Sequence, residues 1–328
     1  MKILYAVQGT GNGHLTRALD IIPILQQLAE VDVLVSGIQA DIQLPFPVKY
    51  RLHGLSFIFG KSGGVDLWRT FMSSTVRKFI QEINHLPVEQ YDLVINDFEP
   101  ISAWACQTRD VPCIGLSHQI GALDAASPKP EEKDMLGKFI MKNYAPSSVS
   151  YGFHFKSYNE HIFTPVIRQS IRALTPKDLG HYTVYLPSYD DAHLLKNLSK
   201  FPDIQWDVYS KHNKKKFSMK NVTINPIQSD SFVQSMANAS GVLCGAGFET
   251  PAEALYLGKK LLVVPMKNQY EQHLNAAALD QMGVPVIQNL KKKYDYAIES
   301  WLNSKNRVVV DYPDETKDII AKIVEKHK

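Results

Sequence analysis

Residues Leu243–Leu255, LCGAGFETPAEAL, join an apolar strand to a helix through a glycine-rich turn. A second junction of the same kind opens the chain, where Ile3–Leu19 reads ILYAVQGTGNGHLTRAL. Glycines at such a turn let backbone amides approach a phosphate, which the helix N-terminus also attracts. Two of these turns, in opposite halves of the chain, predict two halves of similar architecture.

Apolar strands and amphipathic helices alternate on both sides of the two turns. This alternation is typical of parallel sheets covered by helices, and 328 residues are many for one core. We therefore predict an α/β fold of two Rossmann-like domains that face each other across a cleft. The expected parts are an N-terminal domain over 1–164, a linker over 165–180, a C-terminal domain over 181–308, and a terminal helix over 309–328 that packs back on the N-terminal domain.

Composition and charge favour a globular protein of a reducing compartment. The chain is 45% hydrophobic and 21% charged, and its net charge of +3 is too small to indicate a nucleic-acid partner. The basic runs Lys211–Lys216 and Lys291–Lys293 are expected to be solvated loops. Cys106, Cys113 and Cys244 lack the spacing of metal ligands, so no metal site is expected from them.

The N-terminal strand lacks the apolar core and cleavage site of a signal peptide, and no apolar run approaches the roughly 20 residues of a membrane span. We expect a cytoplasmic protein, with peripheral contact at the inner membrane face as the one membrane role open to it. Leu52–Met72 is the candidate for that contact because it is rich in Phe and Trp beside Gly and basic residues. The alternative is that Phe57 and Phe59 pack in the N-terminal core.

The first glycine turn superficially resembles a dinucleotide fingerprint but departs from it. Its third glycine, Gly13, comes one place early, and His14 occupies the position where the fingerprint has that glycine. The second strand also lacks the ribose-binding acid at its end. An NAD(P) site is therefore not expected. His14 instead opens a helix whose N-terminus favours a neutral imidazole, and such a ring can act as a general base. The alternative is a polar capping residue satisfied by backbone groups.

Asp97 closes a buried strand in YDLVINDFEP (91–100), at the sheet edge where His14 is also expected. A carboxylate there can fix the tautomer of a histidine and stabilise its protonated form. The alternative is that Asp97 caps the helix that begins near Pro100. His118 follows the next strand, and either lines the same edge or is an ordinary loop histidine.

Thr250-Pro251-Ala252-Glu253 matches a capping box, with Thr at the N-cap and Glu three residues later. In that interpretation the Glu253 carboxylate only reaches back to the Thr250 amide. The competing interpretation is that Gly245 and Gly247 expose amides to a diphosphate at the helix N-terminus.

The run CGAGFETPAEALYLGKKLLVVP (Cys244–Pro265), followed by QYEQHLNA (Gln269–Ala276), resembles the donor motif of GT-B glycosyltransferases. The pattern is similar to that of the N-acetylglucosaminyltransferase of peptidoglycan lipid-intermediate synthesis and of the UDP-glycosyltransferases. GTGNGHLTRAL resembles their glycine-rich N-terminal loop, and FTPVIR (163–168) the segment that leads out of their first domain. Ala246 stands where these families often carry a second glycine, and this difference leaves the identity of the transferred sugar open.

This resemblance implies an acceptor-side N-terminal domain and a nucleotide-sugar-binding C-terminal domain. His14 matches the catalytic base and Asp97 its orienting acid. Glu253 matches the ribose-binding glutamate. The implied donor-binding residues are Gly245, Ala246, Gly247, Phe248, Thr250, Glu253, Glu271, Gln272, Asn275, Arg168 and Ser188, and the acceptor-side residues are Gly11, Asn12, Gly13 and His118.

The implied activity is an inverting, hexosyltransferase-type transfer from a nucleotide sugar to an acceptor hydroxyl, with UDP as the expected nucleotide. The resemblance leaves the acceptor open, and a lipid-linked acceptor of cell-envelope glycan synthesis is the candidate. No cofactor is expected beyond this co-substrate, and no Asp-x-Asp triplet is present to indicate a bridging metal. Two alternatives stay open. One is a nucleotide-sugar 2-epimerase of the same fold, with Glu99, Asp124 or Glu131 as additional acids, and the other is a non-catalytic nucleotide-sugar-binding protein.

Overall fold

The computed structural model describes residues 1–37, 44–55, 75–132 and 134–328. These residues form two compact units. The first unit comprises Met1–Ser127, Glu132–Arg168 and Pro313–Lys328, and the second comprises Pro128–Glu131 and Gln169–Tyr312. The segment Gly54–Phe59, which the sequence leaves open as a strand or an exposed apolar loop, and the candidate membrane segment Leu52–Met72, with Phe57 and Phe59, lie largely outside the described residues.

The strands are short and almost continuously apolar, as expected where both faces of a parallel sheet are covered. Their bounds are β1 (Lys2–Gln8), β2 (Glu30–Ser36), β3 (Tyr50–Leu52), β4 (Leu93–Asp97), β5 (Cys113–Ser117), β6 (Val149–Phe153), β7 (Ile162–Phe163), β8 (His181–Tyr185), β9 (Gln205–Ser210), β10 (Phe217–Met219), β11 (Val222–Pro226), β12 (Gly241–Gly245) and β13 (Lys260–Val264).

Helices follow most of these strands. Their bounds are α1 (Asn12–Leu28), α2 (Thr75–His85), α3 (Pro100–Thr108), α4 (His118–Leu123), α5 (Met135–Tyr144), α6 (Gln169–Arg172), α7 (Asp191–Leu198), α8 (Ser229–Asn238), α9 (Glu249–Tyr256), α10 (Tyr270–Gln281), α11 (Asp295–Asn303) and α12 (Thr316–His327). None of the helices in the described ranges has both the length and the apolar character that crossing a membrane requires.

The described part of the first unit contains a seven-stranded sheet in the order β3-β2-β1-β4-β5-β6-β7. Its strands pair in parallel, with Val7 opposite Asp97 at the carboxyl ends of β1 and β4. The strand order reverses between β1 and β4. In open α/β sheets the carboxyl ends at such a reversal are where ligands bind.

Helix α1 covers this sheet through Ile21, Ile22 and Leu25, which recur at helical spacing and are fully buried. The terminal helix α12 belongs to the same unit and contacts α1. Its His327 ring nitrogen Nε2 lies 2.9 Å from the hydroxyl of Tyr151 on β6. The chain therefore returns to the first unit after completing the second.

The second unit, as far as the structure describes it, contains a six-stranded sheet in the order β10-β11-β9-β8-β12-β13. The pairs are parallel except β10 with β11. Its core centres on Trp206, whose ring lies 5.5 Å from that of Tyr182, which in turn lies 5.1 Å from that of Trp301. The strand order reverses between β8 and β12, so the turn after β12 leaves the sheet at its expected ligand edge.

Candidate active site

The turn between β1 and α1 is fixed by two glycines. The amide of Gly9 donates to the Ser36 carbonyl at 2.6 Å, and a Cβ on Gly9 would lie only 2.8 Å from Val35 Cγ1. Gly11 has φ +94°, which favours glycine, and it occupies the N-cap of α1. Asn12, Gly13 and His14 therefore form the first turn of α1, directly above the carboxyl end of β1.

His14 and Asp97 lie together at the reversal point of the first sheet. His14 Nδ1 is 2.8 Å from Asp97 Oδ1, and the carboxylate is fully buried while His14 is 12% exposed. An ionised carboxylate only accepts hydrogen bonds, so Nδ1 carries the hydrogen and the other ring nitrogen, Nε2, accepts. This is the tautomer that a general base requires.

Arg17 is a third member of the cluster, and sequence reasoning missed it. Its Nε donates to Asp97 Oδ2 at 2.9 Å and its Nη2 to Asp97 Oδ1 at 2.8 Å. The spacing of His14 and Arg17, three residues apart, places both side chains on one face of α1. That spacing was the signal available, because an arginine on the buried face of a helix needs an anionic partner.

The electrostatics of the cluster favour an ionised Asp97. Burial alone raises the pKa of this carboxyl, but the charge of Arg17, the electrostatic attraction of the His14 ring and the hydrogen bonds from both residues outweigh it and hold the pKa below its ordinary value. Tyr5 on β1 lies nearby, and burial, followed by the charge of Asp97, raises its pKa well above the ordinary value. Tyr5 is therefore neutral at physiological pH.

Gln119, and not its neighbour His118, contacts the His14 ring. Gln119 Nε2 lies 3.2 Å from His14 Nε2. His118 is 1% exposed and its Nδ1 donates to the Phe153 carbonyl at 3.0 Å. The predicted acceptor-side role of His118 stays a prediction, and Gln119 is the residue that this strand end brings to His14.

Phe98 adopts an uncommon backbone conformation beside the pair. It has φ +56°, and its ring stacks on that of His14 with the ring centroids 6.2 Å apart. The Phe98 ring also lies against that of Tyr144, with the ring centroids 4.8 Å apart. Non-glycine residues at positive φ store strain, and such residues concentrate at functional sites.

The cap of α3 is Glu99 and not Asp97. The Glu99 carboxylate accepts from the amides of Ile101 at 2.8 Å and Ser102 at 2.6 Å, and Pro100 takes the first helical position. This removes the capping alternative for Asp97. Burial raises the pKa of Glu99 above its ordinary value.

In the second unit, the turn after β12 runs through Gly245–Phe248 into α9. The predicted capping box is wrong: α9 begins at Glu249, its N-cap is Phe248, and no side chain caps it. Phe248 is 4% exposed, so burial of its ring brings the chain into the helix two residues earlier than the box requires. Thr250 then lies inside the first turn.

Neither glycine of this turn is required by the protein's own structure. Neither Gly245 nor Gly247 has a positive φ. A Cβ on Gly247 would meet nothing within 4 Å, and one on Gly245 would meet Gln272 Oε1 at 3.6 Å, an ordinary contact. Open space beside Gly247 at the ligand edge of the sheet is what close approach of a ligand requires.

Helix α10 holds the turn in place. Asn275 is fully buried and its Nδ2 donates to the Ala246 carbonyl at 3.0 Å. Gln272 Oε1 accepts from the Met266 amide at 2.9 Å. The predicted contacts of Glu271, Gln272 and Asn275 with a sugar stay predictions. Asn275 also holds the turn after β12, and Gln272 holds the segment after β13.

The remaining donor-site predictions occupy varied positions. Glu253 is 3% exposed on α9. Ser188 is exposed and lies between β8 and α7, at the carboxyl end of β8. Arg168 is half-buried and ends the Glu132–Arg168 segment of the first unit. Their nucleotide contacts stay predictions.

The family model of glycosyl transferase family 1 matches residues 1–304. The chain belongs to this family. No curated protein matches the sequence significantly.

Solved structures of other proteins share the fold. The glycosyltransferase SnogD from Streptomyces nogalater matches over 99% of both chains at 12% identity and a TM-score of 0.55. MurG of Acinetobacter baumannii matches over 99% of both chains at 14% identity and a TM-score of 0.58. UGT89C1 of Arabidopsis thaliana, complexed with UDP, matches over 99% of this chain and 94% of its own at 12% identity and a TM-score of 0.61.

The predicted resemblance and the predicted GT-B class of two Rossmann-like α/β units are thereby confirmed. Because the chain belongs to a glycosyltransferase family, glycosyl transfer is the chemistry against which both sites are interpreted.

Proposed function

We propose that this family 1 glycosyltransferase moves a hexosyl group from a UDP-sugar to an acceptor hydroxyl with inversion and without a metal. The observation that carries the proposal is the His14–Asp97 bond of 2.8 Å at the reversal point of the first sheet. It leaves Nε2 of a neutral imidazole as the proton acceptor.

In the proposed reaction the acceptor oxygen attacks the anomeric carbon from the face opposite the nucleotide. A new carbon–oxygen bond forms as the bond to the diphosphate breaks, and the hydroxyl proton moves to His14 Nε2. Asp97 stabilises the imidazolium that results.

The second unit is proposed to hold the donor. Amides around Gly245–Phe248 and the N-terminus of α9 would stabilise the charge that develops on the departing diphosphate. Open space beside Gly247 supports this role. Neutralisation by backbone dipoles is also why the proposal includes no bridging metal.

Thermal-shift measurements with UDP, dTDP, GDP and their sugars test the donor, because a ligand that binds only the folded state raises the melting temperature. His14→Ala should abolish transfer while the shift with the nucleotide is kept. Unchanged turnover in His14→Ala would contradict the base assignment.

The epimerase alternative has less support. It needs an additional acid, yet Glu99 is fully buried as the cap of α3, and Asp124 Oδ1 accepts from the Ala126 amide at 2.9 Å. Glu131 is exposed. Conversion of a UDP-sugar in the absence of an acceptor would favour this alternative, and donor binding without any turnover would favour a non-catalytic binding protein.

For the acceptor we propose a lipid-linked hydroxyl presented at the cytoplasmic face of the membrane, as in cell-envelope glycan synthesis. Helix α5 supports peripheral contact, because it exposes Met135 (71%), Leu136 (57%) and Phe139 (67%). Lys138 and Lys142 lie exposed on the same helix. Apolar and basic side chains together favour an anionic bilayer surface.

Sedimentation with anionic vesicles tests the contact. Replacing Met135, Leu136 and Phe139 with Ser should release the protein from the vesicles. Val309→Ser, at a residue 93% exposed in the second unit, is the matched control and should leave binding unchanged. Equal sedimentation of the triple variant and the native chain would contradict the membrane proposal.

A further inference from the structure

Arg17 is a buried cation that the proposed reaction does not use. Its side chain is 2% exposed and lies with its guanidinium carbon 5.8 Å from the centre of the Phe153 ring. Arginine keeps its charge throughout the accessible pH range. A fixed positive charge therefore stands beside the catalytic histidine, shielded from water and salt.

The Arg17 guanidinium lies next to the His14 ring as well as next to the Asp97 carboxylate. Asp97 Oδ1 accepts from His14 Nδ1 and from Arg17 Nη2, both at 2.8 Å. The two donor nitrogens are 3.2 Å apart. Because Nη2 lies this close to Nδ1, the guanidinium repels any positive charge on His14 in addition to holding Asp97.

We propose that Arg17 is a positioning residue that balances the charge of Asp97, so that His14 rests as the neutral Nδ1–H tautomer. The inference rests on the proposed role of His14 as the base. A carboxylate without this partner would favour the protonated ring, which has no lone pair to accept a proton. With Arg17 present, the carboxylate orients the ring and the net charge facing it is close to zero.

The other groups around the ring do not supply this balance. Among the described residues, Arg17 on α1 and Asp97 on β4 are the charged side chains that the structure places in contact with the His14 ring. Gln119 on α4 and Phe98 after β4 contact the ring without charge. Tyr5 on β1 is neutral, because burial raises its pKa.

The first test is the pH profile of kcat/KM for Arg17→Met and Arg17→Lys. The acid limb of the Arg17→Met profile should move upward by about one pH unit or more, so that activity at pH values below the limb falls about tenfold and recovers at alkaline pH. Arg17→Lys keeps the charge, so its limb should stay near the native position. Arg17→Gln keeps a donor without the charge and should behave like Arg17→Met.

Arg109→Met is the matched control. The Arg109 guanidinium binds the carbonyls of Ile83, Asn84 and Leu86 at 2.8 to 2.9 Å. Losing these bonds should lower the melting temperature without moving the acid limb. An unmoved limb in Arg17→Met, with a lower rate at every pH, would make Arg17 purely structural and overturn the proposal; Arg17→Gln behaving like Arg17→Lys would do the same.

A second readout needs no turnover. Side-chain ¹⁵N NMR of His14 in the full chain should show the Nδ1–H tautomer at neutral pH, and its titration midpoint should rise in Arg17→Met. Equal midpoints in the two proteins would overturn the proposal even if no transfer activity were found, which separates its failure from failure of the proposed function.

Discussion

Gln119 Nε2 lies 3.2 Å from His14 Nε2, the ring nitrogen that the bond to Asp97 leaves as an acceptor. The Gln119 amide therefore donates to the nitrogen that receives the proton of the acceptor hydroxyl in the proposed reaction. A hydroxyl that binds productively has to take the place of this amide. On the proposed mechanism, Gln119 thus marks the position of the reacting hydroxyl in the first unit.

Gln119→Glu should reduce kcat/KM at neutral pH about tenfold or more, because a carboxylate at hydrogen-bonding distance favours the protonated ring and removes the free base. Initial rates across pH measure the effect, and the loss should be smaller at alkaline pH. Gln107→Glu, at an exposed position of α3, is the control for added charge. Equal losses in the two variants would contradict the role of Gln119.

Phe98 provides a test of backbone strain. At φ +56° an alanine is strained and a glycine is not, so Phe98→Gly should be more stable than Phe98→Ala by about 1 kcal/mol. This reverses the usual order of the two residues. Urea unfolding measures the difference, and a more stable alanine variant would contradict the strain. Both variants lose the ring stacked on His14, so both should lose turnover to a similar degree.

The parts of the site that the sequence predicted are those fixed by strand ends. His14 and Asp97 each follow a buried parallel strand, and such strands deliver their carboxyl ends to one edge of the sheet. Arg17 lies three residues from His14, but that spacing does not show which carboxylate their shared helix face meets. Nothing in the local pattern shows that the preceding strand end turns Gln119 toward the His14 ring. Their roles depend on contacts between residues distant in sequence, 80 positions apart for Arg17 and Asp97 and 105 for His14 and Gln119.

The start of α9 was mispredicted for a related reason. The residues of Thr250–Glu253 fit a capping box, but burial of Phe248 decides where the helix begins. Side-chain capping contributes about 1 kcal/mol, which is less than burying an aromatic ring. The local pattern at this turn thus predicted a strand followed by a helix, while tertiary packing set the boundary of the helix.

The Arg17–Asp97 pair should show strong coupling in a double-mutant cycle. Asp97→Asn leaves a buried guanidinium without its counter-charge, which typically costs about 3–5 kcal/mol of unfolding free energy. Arg17→Met/Asp97→Asn removes both charges, so it should cost clearly less than the sum of the single variants. Urea unfolding at pH 7 measures all four proteins. Additive losses would show that the two charges act independently.

The same pair predicts a pH dependence of stability. The pKa of Asp97 is lowered in the folded protein, so its contribution is present above the ordinary carboxyl pKa of about 3.9 and is lost as pH falls through the folded value. The native chain should therefore lose unfolding free energy below about pH 4 faster than the double variant does. Parallel curves for the two proteins would place the acid sensitivity in other carboxyls.

Gly247→Ala separates ligand binding from folding in the second unit. Gly247 does not have a positive φ, and a Cβ there would meet nothing within 4 Å. The variant should therefore fold with an unchanged melting temperature. A methyl group in that space would obstruct the approach of a diphosphate to the amides of the turn, so the shift with UDP should fall to that expected for at least tenfold weaker binding. Gly180→Ala is the control: its φ of +84° makes it lose stability, yet it should keep the UDP-induced shift. A full UDP shift in Gly247→Ala would show that the nucleotide binds elsewhere.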